Sequence, residues 1–233
     1  MYHRSMDTQP DIASIAFLLG EPARATILTA LLGGVALPAS ELVFRCQLTQ
    51  QTVSAHLAKL VAGGLLVVEP RGRHRYYRLA NAEVGHALEA LQVVAPRPPV
   101  RSLRQSEETR ALCFARTCYD HLAGKLGVSI TQAMLQRGYL AEAEKSYLLT
   151  TEGEQWLTHL GIDVSEARHK RRVFAASCLD WSERRSHLAG ALGASFATRL
   201  FQQGWIVRSS TSRAIHLSEA GQSGLLQELD LRF

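Results

Sequence analysis

The chain has 233 residues, enough for one large domain or two small ones at ~100–200 residues each. A hydrophobic fraction of 46% and a charged fraction of 20% are those of a folded globular protein and exclude disordered, collagen-like and low-complexity classes. The net charge of +5 is shared by both halves, which permits nucleic-acid binding without requiring it, and aromatics at 7% leave the cores to Leu, Ala and Val.

At the N-terminus, Asp7 and Asp11 stand where a secretory leader would carry its apolar core, so a cytoplasmic protein is expected. Ile12, Ile15, Phe17 and Leu19 predict a short helix ending at Gly20, and Pro22 suits the first turn of a second. Ile27, Leu28, Leu31 and Leu32 are its buried stripe, and Gly33-Gly34 stops it. The longest uncharged stretch, Ala25–Ser40, is 16 residues and contains these glycines and Pro38; a membrane span needs ~20 apolar residues, so no membrane partner is expected. Pro38 to Arg45 predicts a third helix. A fourth starts behind Thr49, a hydroxyl N-cap, and runs to Val61 before Gly63-Gly64. Leu65–Glu69 and His74–Leu79 are β-rich runs around Pro70-Arg71-Gly72-Arg73, which predicts a hairpin, and Ala82–Val94 is a last helix. Pro96, Pro98 and Pro99 then break the chain. The expected domains are therefore 1–96 and 109–233, joined by a linker over 97–108.

The fourth helix carries the chemistry of the first half. Val53, Leu57, Leu60 and Val61 recur at helical spacing and form its buried face. Gln51, Ala55 and Ala58 then point outward, flanked by Gln50, Thr52, Ser54, His56 and Lys59, with no acidic group. Small residues let a helix seat in a major groove, amides and hydroxyls read base edges, and Lys59 suits a phosphate. Arg71, Arg73, His74 and Arg75 put a basic tip on the adjacent hairpin, as a wing against the backbone or minor groove requires. A plain helical core with a charged turn is the alternative.

The runs LLGEPARATILTALL, LTQQTVSAHLAKLVAGGLL and EPRGRHRYYRLAN resemble the ArsR/SmtB family of winged helix-turn-helix repressors over residues ~12–91. The resemblance implies a homodimer through the first and last helices, a palindromic double-stranded DNA operator, and repression relieved by an effector. The family's paired cysteines before the recognition helix are absent: the chain reads Glu41-Leu42-Val43-Phe44-Arg45, with Cys46 one step beyond. Its last-helix zinc ligands are absent too, since only His86 with Glu83 and Glu89 stands there. The effector is therefore expected to act on residues 109–233.

That half contains a repeat. HLAGKLG at His121–Gly127 recurs as HLAGALG at His187–Gly193, and Leu149-Thr150-x-x-Gly153 recurs as Leu217-Ser218-x-x-Gly221. Each copy, about 109–165 and 174–233, is expected to run helix, turn, helix, two strands, capped helix, giving two degenerate winged-helix-like units. The whole is then a mainly α, α+β fold with small β-hairpins. The recognition-helix equivalents Ile130–Arg137 and Phe196–Gln203 are apolar and expected in the core. Upstream, Cys118-Tyr119-Asp120-His121 echoes Cys178-Leu179-Asp180-Trp181. Cys118 and His121, three apart on an expected helix, are the metal candidates, and Trp181 as the counterpart of His121 makes Cys118 the weightier cysteine. Cys113, Tyr119, Cys178, Trp181 and His187 complete the candidate effector groups, with the cofactor left open between a metal ion, haem and none. The alternative makes these cysteines small core residues and the histidines braces of a turn. No P-loop, nucleophile elbow or HExxH occurs, so no enzyme is expected; an enzymatic or protein-interaction module behind an appended DNA-binding domain is the competing reading.

Overall fold

The computed structural model describes residues 9–96, 99 and 102–233. It forms two compact units, one from residues up to Leu31 with Val35–Val84, the other from Leu32–Gly34 with Gly85–Phe233. Residues 97, 98, 100 and 101 of the expected linker lie outside the described residues, as does Asp7.

The first unit runs α1 (Ile12–Leu19), α2 (Pro22–Leu31), β1 (Leu37–Pro38), α3 (Ala39–Cys46), α4 (Gln50–Ala62), β2 (Leu66–Arg71), β3 (His74–Leu79) and the start of α5 (Ala82–Val94). Asp11 caps α1 by accepting from the Ser14 amide. The Glu21 carboxylate accepts from the amides of Ala23 and Arg24 at 3.1 and 3.0 Å and opens α2. Arg24, 4% exposed, turns back to donate to the carbonyls of Leu18 and Phe17, both at 2.7 Å, where α1 would otherwise leave acceptors unpaired. Ile27, Leu28, Leu31, Leu42, Val53, Leu57, Leu60, Leu66 and Leu79 are buried and form the core of this unit. The sheet has the order β1-β3-β2, all antiparallel, with Leu66 opposite Leu79 and Arg71 opposite His74. Gly72 at φ 61° turns the hairpin. The two-residue β1 escapes a sequence reading because Pro38 also suits a helix start; it ends the strand and caps α3.

Thr49 has extended backbone, and its hydroxyl accepts from the Thr52 amide at 3.2 Å. Thr49→Ala is expected to lower stability by about 1 kcal/mol, read by denaturant unfolding, because one amide of the first turn loses its acceptor.

In the second unit, α6 (Leu103–Phe114) starts behind Ser102, whose hydroxyl accepts from the Gln105 amide. The last six residues of the expected 97–108 linker are thus helical. Two copies of one pattern follow. The first is β4 (Arg116–Cys118), β5 (His121–Ala123), α7 (Gly124–Gln136), β6 (Leu140–Glu142), β7 (Tyr147–Leu149) and α8 (Thr151–His159). After α9 (Val164–His169), the second is β8 (Ala176–Leu179), β9 (Ser186–Ala189), α10 (Gly190–Gln202), β10 (Ile206–Arg208), β11 (Ile215–Leu217) and α11 (Glu219–Leu229). Leu126, Ile130 and Met134 of α7 share a buried cluster with Leu192, Phe196 and Leu200 of α10. Thr150 and Ser218 cap α8 and α11 by accepting from Gly153 and Gly221, each at 3.0 Å. A Cβ on those glycines would meet the carbonyls of Tyr139 and Trp205 at 2.1 and 2.2 Å, which explains the repeated Leu-Thr/Ser-x-x-Gly.

Each copy opens on a β-hairpin, which corrects the expected helix–turn–helix. The His-Leu-Ala of each HLAG run is a strand, and its glycine, Gly124 at φ 81° or Gly190 at φ 75°, starts the long helix. Cys118 and His121 are therefore not one helical turn apart. They face each other across β4 and β5.

Candidate functional site: an exposed recognition surface and a buried thiol–imidazole cluster

Helix α4 turns Val53, Leu57 and Leu60 inward and leaves Gln50, Gln51, Thr52, Ser54, Ala55, Ala58 and Lys59 exposed. The Thr52 hydroxyl lies 2.8 Å from that of Thr49, so it is partly engaged in the cap. His56 is turned from this face, with Nδ1 3.4 Å from a Glu21 carboxylate oxygen. On the hairpin, Arg71, Arg73, His74 and Arg75 are exposed. Arg71 is held by Glu69 at 2.9 Å and lies over the Tyr76 ring. Arg78 also pairs with Glu69. Among the described residues no carboxylate pairs with Lys59, Arg73 or Arg75, which leaves three cations beside the polar face of α4. A groove of about 650 Å³ runs between α4 and the hairpin, and exposed Ser40 of α3 and Tyr77 of β3 also line it. Sequence reading missed both, because only the fold of β1 and α3 against β3 brings them there.

The second unit holds a different site. In β4–β5 Cys118 is opposite His121; in β8–β9 Cys178 is opposite His187. The partner of His121 is therefore His187, not Trp181, and the two copies contribute alike. The cysteines are 60 residues apart and the histidines 66, because the second hairpin has six more residues between its cysteine and its histidine. That offset was the signal available in the sequence. The two Sγ atoms are 3.8 Å apart and the two Nε2 atoms 3.1 Å, and the histidines and Cys118 are buried. Cys113 on α6, Tyr119 and Trp181 lie outside this four-residue group. Tyr119, at φ 60°, packs its ring where a Gly85 Cβ would stand, and Trp181 stacks on the Arg116 guanidinium at 4.3 Å.

The electrostatics of the cluster favour a thiolate. Cys118 and Cys178 share a hydrogen bond that holds the Cys178 thiol well below its usual range, against the effect of burial, with His121 and His187 adding to it. The same contact, with burial and the Glu89 charge, pushes Cys118 up. Burial opposes a charged His121, but its hydrogen bonds to Asp120 and Cys178 prevail and raise it to about 9. Asp180, fully buried, lies well below the usual carboxylate range despite that burial. Arg116 at 2.9 Å, the Ser182 hydroxyl and the amides of Glu183 and Gly124 hold it there. Cys46, outside this cluster, is raised by burial and by Glu21.

Residues 19–69 match the family model of a helix-turn-helix domain. The chain is 43% identical over 223 residues to YdfF of Bacillus subtilis (strain 168), an uncharacterised HTH-type transcriptional regulator, covering 96% of this chain and 99% of that one. It is 40% identical over 84 residues to the HTH-type transcriptional regulator CmtR of Mycobacterium bovis, covering 36% of this chain and 70% of that one. Among solved structures, reduced HlyU from Vibrio cholerae N16961 matches at 28% identity over 37% of this chain and 90% of that one, with a TM-score of 0.34.

Proposed function

Because the chain belongs to the family of HTH-type transcriptional regulators that includes YdfF, we propose that it is a homodimeric repressor of the ArsR/SmtB type. It binds a palindromic operator in double-stranded DNA and lets go when an effector acts on residues 109–233. The observation that carries this reading is the exposed, acid-free face of α4 beside Arg73 and Arg75, which no carboxylate among the described residues pairs. Gln51 and Ser54 offer donors and acceptors to base edges, Ala55 and Ala58 allow close approach, and the cations hold phosphates. Dimerisation is supported by apolar side chains exposed in the single chain: Ile12 and Phe17 on α1 at 76% and 72%, and Leu91 and Val94 on α5 at 46% and 78%. A twofold dimer presents two copies of α4 to two half-sites, which is why the operator is palindromic. The protein works in the cytoplasm as a regulator and not as an enzyme. Among the described residues no single helix is long and apolar enough to cross a membrane.

The test is a pair of variants in the full chain, measured on the DNA upstream of its own gene and on random duplex. Gln51→Ala is expected to weaken the specific complex by about 1–3 kcal/mol and to relax one base-pair position. Arg73→Ala is expected to weaken both duplexes alike and to lower the slope of log affinity against log salt by ~1. Identical behaviour of the two variants on both duplexes contradicts the assignment.

A further inference from the structure

Two hairpins, one from each copy of the repeat, each present a cysteine directly across the strand pair from a histidine. The four donor atoms of Cys118, His121, Cys178 and His187 lie within 4.8 Å of one another. We propose that these four residues bind one thiophilic, tetrahedral divalent ion of the zinc(II) class, which joins the two copies of the repeat.

The spacing fits such an ion. With Zn–S of ~2.3 Å and Zn–N of ~2.0–2.1 Å, a tetrahedron sets its sulfurs ~3.8 Å and its nitrogens ~3.4 Å apart. The sulfurs here are 3.8 Å apart and the Nε2 atoms 3.1 Å. The outer ring nitrogens supply an independent observation. His121 Nδ1 is 3.4 Å from Asp120 and His187 Nδ1 is 3.6 Å from Asp180. His187 Nδ1 is buried and makes no hydrogen bond among the described residues. An imidazole that turns Nδ1–H toward a carboxylate presents its Nε2 lone pair on the other side, the arrangement of a metal-bound histidine with its carboxylate behind it. Two such lone pairs facing each other at 3.1 Å repel unless a shared proton or a metal cation stands between them, and the paired cysteines beside them select the metal.

Charge and access agree with the assignment. Two thiolates neutralise a dication, and two sulfurs with two imidazoles select a soft or borderline ion over magnesium or calcium. Each flanking carboxylate has its own arginine: Arg172 at 2.5 Å from Asp120 and Arg116 at 2.9 Å from Asp180. Nearby Glu89 is paired with Arg213. A cleft of about 410 Å³, lined by His86, Val93 and Leu179, reaches Cys178 and provides an entry path.

This site gives a ligand class to the effector reading of residues 109–233 and rests on it only for its regulatory meaning. The test titrates the reduced, chelator-treated full chain with cobalt(II). One equivalent is expected to bind, with the ligand-field bands of a tetrahedral ion and a thiolate charge-transfer band, and zinc(II) is expected to displace it. Cys178→Ser and His187→Ala are expected to abolish stoichiometric uptake and the charge-transfer band, while Cys46→Ser and Cys113→Ser retain both. Asp120→Asn, a positioning change at the partly exposed carboxylate behind His121, is expected to weaken zinc(II) binding 10–100-fold with the tetrahedral spectrum retained. No uptake by the wild-type chain, or uptake that survives Cys178→Ser, overturns the site. So does a reduced chain that takes up no ion and yields only a Cys118–Cys178 disulfide on mild oxidation, because the cluster is then a thiol pair. DNA affinity is measured in the same samples: a chain that takes up the ion but holds DNA equally with and without it keeps the metal site and loses the sensor.

Discussion

Asp180→Ala is expected to destabilise the chain by about 3–5 kcal/mol, the cost of stranding a buried charge. Both Asp180 and Arg116 are fully buried, and their carboxylate and guanidinium meet at 2.9 Å. The same carboxylate accepts from the Gly124 amide at 2.6 Å, the Ser182 amide at 2.8 Å and hydroxyl at 2.6 Å, and the Glu183 amide at 3.0 Å. Removing it leaves the guanidinium with the Leu112 carbonyl, the Ser182 hydroxyl and the Trp181 face, none of which carries a compensating charge. It also frees the turn that sets the distance between β8 and β9. Arg116→Met is expected to cost less, because the carboxylate keeps its other donors, and the double variant less than the sum of the two. Denaturant unfolding of the three variants measures this. A loss below about 1 kcal/mol for Asp180→Ala contradicts the buried pair.

Ala55→Glu is expected to lower DNA affinity by about 10²-fold or more and to leave the fold unchanged. Ala55 is exposed on α4, and glutamate is a good helix former, so unfolding should move by no more than about 0.5 kcal/mol. On the DNA side the change adds bulk where the helix must approach closely and a negative charge facing phosphates, a like-charge contact that costs several kcal/mol. Ala55→Ser, of similar size and uncharged, is expected to bind within a few-fold of the parent. Retention of affinity by Ala55→Glu, measured by fluorescence anisotropy on one duplex at one salt concentration, contradicts the placement of this face against DNA.

The first unit was largely legible because its signals are local. Thr49 before an apolar 3.6-residue period marks α4, and a glycine between two β-rich basic runs marks the hairpin. Its misses depend on distant partners: Pro38 belongs to a strand only because β3 lies beside it, and His56 is half-buried beside Glu21, which stands between α1 and α2. In the second unit the repeat was legible, but His-Leu-Ala-Gly reads equally as strand or helix until Thr117 is seen paired with Leu122 and Ser177 with Leu188. That ambiguity moved Cys118 and His121 onto one expected helix and matched His121 with Trp181. All four residues of the cluster stood among the candidate groups, but their convergence was not legible, since it exists only where the two hairpins meet. Asp180 was noted as part of the Cys-x-Asp echo; its role as acceptor for Arg116 and three backbone amides follows from tertiary structure alone.

The most direct measurement is the ratio of dissociation constants of the full chain for random duplex and for the sequence it selects from a random pool, both at one physiological salt concentration. A ratio of at least about 10³, falling toward that of random DNA on Gln51→Ala and unaffected by Arg73→Ala, is the result expected of sequence reading by α4 with a phosphate-binding wing. A ratio near one, or a ratio that Gln51→Ala leaves intact, contradicts it.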